Sequence, residues 1–313
     1  MINTHSKKPY KRIITGQERR FLFGPTAHIS LVLQLKGEVT KEALKEAIEK
    51  MLLSYPQFRV RIEWDETGVH DSTTEGAAEV PIRIYSREND KFWIDVLNKE
   101  HAIPLRPTVG PLTRFILVKG DNISELIVFC HHTICDGRSL ELALREVLLH
   151  VDDNTRAPIE FVEVPPQTLS MFPKGADFGW FKKWVVGKIN KKWQAEKVLF
   201  DEEDLVNVWE AFWKNAKYCI ETIEFSKDET EKLIEIARQN GVTLNSTLLV
   251  AFVKARIDSV GPYGRKAKVA TAVDARKRLR IDCSEAIGFY AGGSFAEFDY
   301  DNNKTFWDNV RSY

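Results

Sequence analysis

No stretch of this 313-residue chain is long and apolar enough to cross a bilayer as a helix, which needs about 20 apolar residues. An excess of either charge is also missing: Lys+Arg and Asp+Glu number 45 each. Phosphate-backbone binding usually leaves a basic surplus, so the balance argues against a nucleic-acid partner. Cysteine is scarce. Cys130, Cys135, Cys219 and Cys283 form no paired framework, which excludes a disulfide scaffold and fits reduced thiols in a cytoplasmic protein. The first twenty residues are polar and basic without an apolar core, so no secretory signal is expected there. What is present is ordinary for a folded soluble protein, 43% apolar and 29% charged, with enough chain for two domains or one large one.

The most informative stretch is Leu126-Ile127-Val128-Phe129-Cys130-His131-His132-Thr133-Ile134-Cys135-Asp136-Gly137. Its apolar run has the length of a buried strand. From Arg138 to Leu149, Leu and Val return at helical spacing. Two histidines and an aspartate therefore sit in a short strand-to-helix connection, where open α/β sheets tend to bind ligands.

Before this motif, residues 1–27 read as an irregular leader. His28–Leu35 reads as a strand, and a helix capped by Thr40 runs toward Pro56. Gln57–Trp64 alternates as a half-buried strand does, and Gly68–Ala78 reads as a hairpin or loop. Val80–Tyr85 is a strand whose Pro81 suits an edge or a start, and Asn89–Lys99 is a helix. Leu112–Val118 is joined tightly to the motif strand and should pair with it antiparallel, giving a mixed sheet.

After the motif, the Pro- and Gly-bearing residues 151–175 read as a crossover. A basic aromatic segment follows, with Phe178, Trp180, Phe181, Trp184 and Trp193 among lysines. The default expectation is a surface helix packing its aromatic side on the body. The alternative is a grip on an acidic carrier protein or peripheral contact with a membrane. Further on, Tyr218–Phe225 reads as a strand, Lys227–Gln239 and Thr243–Asp258 as helices, and Ala267–Val273 and Gly292–Phe298 as strands. Lys304–Ser312 is a last helix.

His131-His132-x-x-x-Asp136-Gly137 resembles the HHxxxDG signature of the chloramphenicol-acetyltransferase-like superfamily. That group includes condensation domains, alcohol acetyltransferases, polyketide-associated acyltransferases and the BAHD enzymes. Leu53-Ser54-Tyr55-Pro56 followed by Phe58-Arg59-Val60-Arg61-Ile62 resembles a phrase from the family's amino-terminal element. Val273-Asp274-Ala275-Arg276-Lys277-Arg278-Leu279 and Ile287-Gly288-Phe289-Tyr290 resemble its second-half motifs, with Tyr290-Ala291-Gly292 where many members have Gly-Asn. Asp177-Phe178-Gly179-Trp180 resembles a BAHD phrase but precedes the second-half motifs, and is read as coincidence.

The resemblance implies an α/β fold with mixed sheets: two lobes with a tunnel at their interface, the second apparently incomplete at its C-terminal end. The expected organisation is an N-terminal lobe over 1–165, a crossover over 166–216 and a C-terminal lobe over 217–313. It also implies acyl transfer from a CoA or carrier-protein thioester to a hydroxyl or amine. His132 would be the general base, and no covalent intermediate would form. No tightly bound cofactor is expected; the acyl-CoA or phosphopantetheine-linked acyl group is a co-substrate. His131, Asp136, Gly137 and Arg276 are expected to be structural, with Asp136 paired to Arg276 and Arg278 as second candidate. Cys135, Asn245, Gly288 and Tyr290 are candidates for the tunnel wall.

Other readings stay open on the residues themselves. Asp136 could orient the imidazole as in a triad, and Cys135 could be a nucleophile with His132 as base. A metal set from His131, His132, Cys135 and Asp136 is disfavoured because adjacent residues of an extended chain point to opposite sides. A non-catalytic docking module for a carrier protein is the alternative to an enzyme.

Overall fold

The computed structural model describes residues 9–65, 68–161, 163, 165–173, 179–196, 200–262 and 267–313. In chain order the elements are β1 (Lys11–Ile13), α1 (Gly16–Arg19), β2 (His28–Lys36), α2 (Lys41–Ser54), β3 (Arg61–Trp64), β4 (His70–Thr73) and β5 (Ile82–Ser86). Then come α3 (Phe92–His101), β6 (Thr113–Lys119), β7 (Ile123–His131), α4 (Gly137–Asp152), α5 (Trp180–Glu196) and α6 (Glu202–Asn215). The last are α7 (Lys227–Gln239), α8 (Leu244–Val260), β8 (Ala267–Asp274), β9 (Ala291–Phe298) and α9 (Phe306–Ser312).

Two compact units form. The first runs to Ile220 and takes back Asp274–Tyr290; the second holds Glu221–Val273 and Ala291–Tyr313. In the first unit a four-stranded sheet has the order β2-β7-β6-β5. β2·β7 and β7·β6 are antiparallel and β6·β5 is parallel, so the sheet is mixed as expected, with Pro81 just before its edge strand. β7 is buried along nearly its whole length, which is why its sequence runs apolar rather than alternating. α2 and α4 pack together, burying Leu44, Ala47, Ile48 and Met51 from one and Leu140, Ala143, Leu144 and Val147 from the other. Thr40 caps α2 by accepting from the Ala43 amide at 3.2 Å. In the second unit β8 pairs with β9, and Val250, Val253, Val269, Phe298 and Val310 form a separate small core.

Several expectations are corrected. Residues 9–27 are not an irregular leader. β1 pairs with β4, and Glu18 of α1 is buried on Arg12 at 2.6 Å. Those contacts are long-range or ionic, so neither periodicity nor propensity announces them. Within Gln57–Trp64 the strand begins only at Arg61, because Pro56–Arg59 closes a 3-10 turn that buries Phe58. Tyr218–Phe225 forms no strand. Its alternation has no partner ladder among the described residues, and most of it is exposed.

α5 also departs from its default reading. Trp180, Phe181 and Trp184 are 81%, 59% and 53% exposed and lie against one another instead of on the body. Lys182, Lys183, Lys188, Lys191 and Lys192 fall all round the helix, so it has no single apolar stripe to bury. Asp177 and Phe178, of the phrase read as coincidence, lie outside the described residues, as does the side chain of Trp193.

Candidate active site

β7 ends at His131, and β2 begins opposite it: His28 and His131 are register partners. Directly paired residues share one face of a sheet, and the next residue turns to the other. So His131 joins His28, Phe129 and His101 on one side. His132 leaves the strand on the opposite course, its amide held by the Ala27 carbonyl at 2.8 Å.

The half-buried His132 ring is held from three directions. Its Nδ1 lies 2.7 Å from the Cys135 carbonyl oxygen, an atom that can only accept. Nδ1 therefore carries the proton in the neutral ring, and Nε2 keeps a free lone pair. Phe21 stacks on the ring at 4.5 Å and 28°, and Phe289 meets it edge-on at 5.3 Å. The exposed Arg20 guanidinium lies over both phenyl rings, 4.7 and 5.2 Å from their centres. Phe21, Phe289 and Arg20 escape a reading of the chain because only the fold brings residues near 20 and near 289 together. The one signal was the position of Phe289 within a recognisable phrase.

Asp136 is the N-cap of α4 and its hydrogen bonds are fully committed. Its Oδ1 accepts from the Ser139 amide at 3.0 Å, the Ser139 hydroxyl at 2.9 Å and Arg276 Nη2 at 3.0 Å. Its Oδ2 accepts from Arg276 Nη1 at 2.8 Å and from the Tyr290 amide at 2.9 Å. This is a buried, two-pronged ion pair, the strong form of such contacts. Arg276 also donates to the Ala286 carbonyl at 3.0 Å. The carboxylate thus faces the returning segment Asp274–Tyr290, and the backbone carbonyl of Cys135, not Asp136, orients His132.

The other candidates fall as follows. His131 is buried, and its Nδ1 accepts from the Thr133 amide at 3.2 Å. Burial first, then the neighbouring His132, pulls its pKa down to about 3, so it stays neutral. Cys135 is fully buried, its thiol donating to the His131 carbonyl, and burial pushes its pKa up. The Gly288 amide donates to the Ser139 hydroxyl oxygen at 3.1 Å, and the Gly288 carbonyl, 2.9 Å from that oxygen, shares the hydroxyl proton with Asp136. Tyr290 is buried with its hydroxyl on the Pro165 carbonyl at 2.8 Å. Asn245 is an exposed residue at the start of α8, in the second unit. Gly137 opens α4 with ordinary helical backbone, and a Cβ there would meet only Ile29, at 3.8 Å. The fold's own packing does not require glycine at that exposed point. No group of three or more His, Cys, Asp or Glu suited to a metal occurs among the described residues.

Comparison with known proteins bears on the fold that carries this site. The Condensation domain family matches residues 24–151, from just before β2 to the end of α4. The match covers less than half of the chain. Solved relatives extend the fold over the rest of the chain. The first condensation domain of the CDA synthetase superposes with a TM-score of 0.63 at 16% identity, over 97% of this chain and 72% of that one. The condensation domain of the Monacolin K polyketide synthase MokA gives 0.60 at 11%, over 97% and 71%. Among curated sequences, a linear gramicidin synthase polypeptide of Brevibacillus parabrevis is 22% identical over 275 residues, 83% of this chain and 5% of that protein. Bacitracin synthase 2 of Bacillus licheniformis is 19% identical over 305 residues, 93% of this chain and 11% of that protein. The chain therefore spans a small fraction of the synthases it resembles.

Proposed function

We propose that this protein is an acyltransferase of the condensation-domain type, which moves an acyl group from a thioester to an amine or hydroxyl with His132 as general base. The observation that carries the reading is the bond from His132 Nδ1 to the Cys135 carbonyl, which leaves Nε2 as the proton acceptor. As the nucleophile attacks, its proton passes to Nε2 and the new C–N or C–O bond forms. The tetrahedral adduct then expels the thiolate, the C–S bond breaks, and the imidazolium returns the proton to sulfur. Imidazole suits both transfers because its ordinary pKa lies near neutrality. The exposed backbone at Gly137, where the only neighbour a Cβ would meet is Ile29 at 3.8 Å, supports close approach of a substrate. The donor is a phosphopantetheine-linked acyl group on a carrier protein. Acyl-CoA presents the same thioester arm and is the simpler assay donor.

The test is release of free thiol and formation of acylated product from acyl-pantetheine, acyl-CoA and acyl-carrier donors with amine and alcohol acceptors. Removing a general base typically costs 10²–10⁴-fold in rate, so His132→Ala should lose about that much. An unchanged rate in that variant would overturn the role of His132. Carrier binding without turnover in the wild type would instead identify a docking module.

A further inference from the structure

On the His131 side of the sheet lies a cavity of about 350 Å³. It is walled by buried Leu22 and Leu105 and by Leu205, Val206 and Trp209 of α6. Trp209 meets the His28 ring at 5.5 Å and 62°. Both His28 ring nitrogens are shielded from solvent and have no hydrogen-bond partner. Burial first, then the neighbouring histidines and Arg114, drives its pKa down to about 2, so the ring is neutral at any working pH. Exposed Arg106 and Glu210 mark the rim, and Arg106 is already paired with Glu202 at 3.3 Å. The cavity therefore offers aromatic and branched apolar surface, penalises a buried charge, and sits at the small end of the usual range for ligand pockets.

Its position gives it a purpose. His131 lines it, one residue before His132; Leu22 lines it, one residue after Phe21. Two pairs of neighbouring residues thus divide their side chains between the proposed proton acceptor and this cavity. We propose that the cavity receives an uncharged aryl side group of one of the two substrates and so selects for it. This rests on the acyl-transfer reading, and the group can belong either to the donor acyl chain or to the acceptor.

The first arm of the test is binding alone. 2-Phenylethanol is titrated into the wild-type chain and followed by ligand-observed NMR, with phenylacetate and phenethylammonium as charged counterparts. Saturable binding of the alcohol is expected, with both ions at least about tenfold weaker, as a buried unpaired charge requires. Val206→Trp, which fills the cavity from α6, should weaken the alcohol about tenfold or more; Leu205→Phe is the second filling variant if the first does not fold. His132→Ala should leave this binding within about twofold, which separates the cavity from the catalytic reading. The second arm compares phenyl with methyl substituents, first on the donor acyl group and then on the acceptor. One series should show about tenfold or more preference in kcat/KM for phenyl, lost in Val206→Trp. Absence of saturable binding, equal binding in both filled variants, or no phenyl preference in either series overturns the proposal.

Discussion

His131 and His132 are adjacent in sequence, yet their surroundings are opposites. His131 is buried against the His28 ring, pulled toward the neutral form by burial, and engaged by a backbone amide. His132 is half-buried, clasped by two phenyl rings, with one nitrogen spoken for and one free. A few residues further on, Asp136 is locked to Arg276. The motif thus contains a part that holds and, in the proposed reading, a part that acts. A residue type alone does not tell them apart; the partner of each polar atom does.

The strongest way to break that division is to unlock the loop. Arg276→Met leaves the Asp136 carboxylate buried with two of its five hydrogen bonds gone. Breaking one side of a buried pair costs about 3–5 kcal/mol, and urea unfolding should register that loss. The Asp136→Asn/Arg276→Met double variant should recover part of it, because the uncompensated charge is removed. A single-variant loss below about 1 kcal/mol, the usual worth of an exposed pair, would show that the contact is not the lock described.

Much of the holding part was legible beforehand. The HHxxxDG stretch is contiguous, its apolar run could only be a buried strand, and the Asp136–Arg276 pairing followed from the family resemblance. The β2, β6 and β7 strands and the capped α2 were also readable, since each repeats one local pattern over many residues. What stayed hidden depends on chain segments meeting. Phe21 and Phe289 are ordinary until both touch His132, and His28 is an ordinary strand histidine until Trp209 covers it. Tyr218–Phe225 shows the converse: a correct alternation forms no strand when no ladder stands beside it. The return of Asp274–Tyr290 to the first unit is a property of topology, which no local pattern encodes.

A smaller effect sharpens the contrast through pH. An unfolded histidine takes its proton near pH 6.5. Folded His131 does so only at about 3, and His101, lowered by burial and then by Arg114, at about 4. Below pH 6.5 the unfolded chain therefore binds more protons than the folded one, and acid favours unfolding. The stability these groups contribute is complete above about pH 6.5 and drains away as pH falls toward 4 and then 3. Each histidine can contribute a slope of up to about 1.4 kcal/mol per pH unit. Denaturant midpoints from pH 7 to 4.5 should fall accordingly, and His131→Gln should flatten the curve. A midpoint independent of pH over that interval would mean these rings are not held neutral.

The mildest change addresses the acting part alone. Phe21 stacks on the His132 ring and so fixes its plane, with Arg20 over the Phe21 ring. An aromatic pair is worth about 0.5–1.5 kcal/mol beyond its buried area, so Phe21→Leu should slow kcat about two- to tenfold. Phe21 is only half-buried, so stability should move far less than it does in Arg276→Met. Phe21→Tyr restores the stacking surface and should restore the rate, which a general loss of packing would not explain. The pH dependence of kcat separates the cases further. If the ring only needs aiming, the leucine variant lowers the plateau and leaves the profile's inflections in place. If Phe21 also sets the electrostatics through Arg20, the inflection moves in Phe21→Leu and moves the same way in Arg20→Gln. Wild-type rates in Phe21→Leu would remove Phe21 from the positioning role and leave the Cys135 carbonyl as the main restraint on the base.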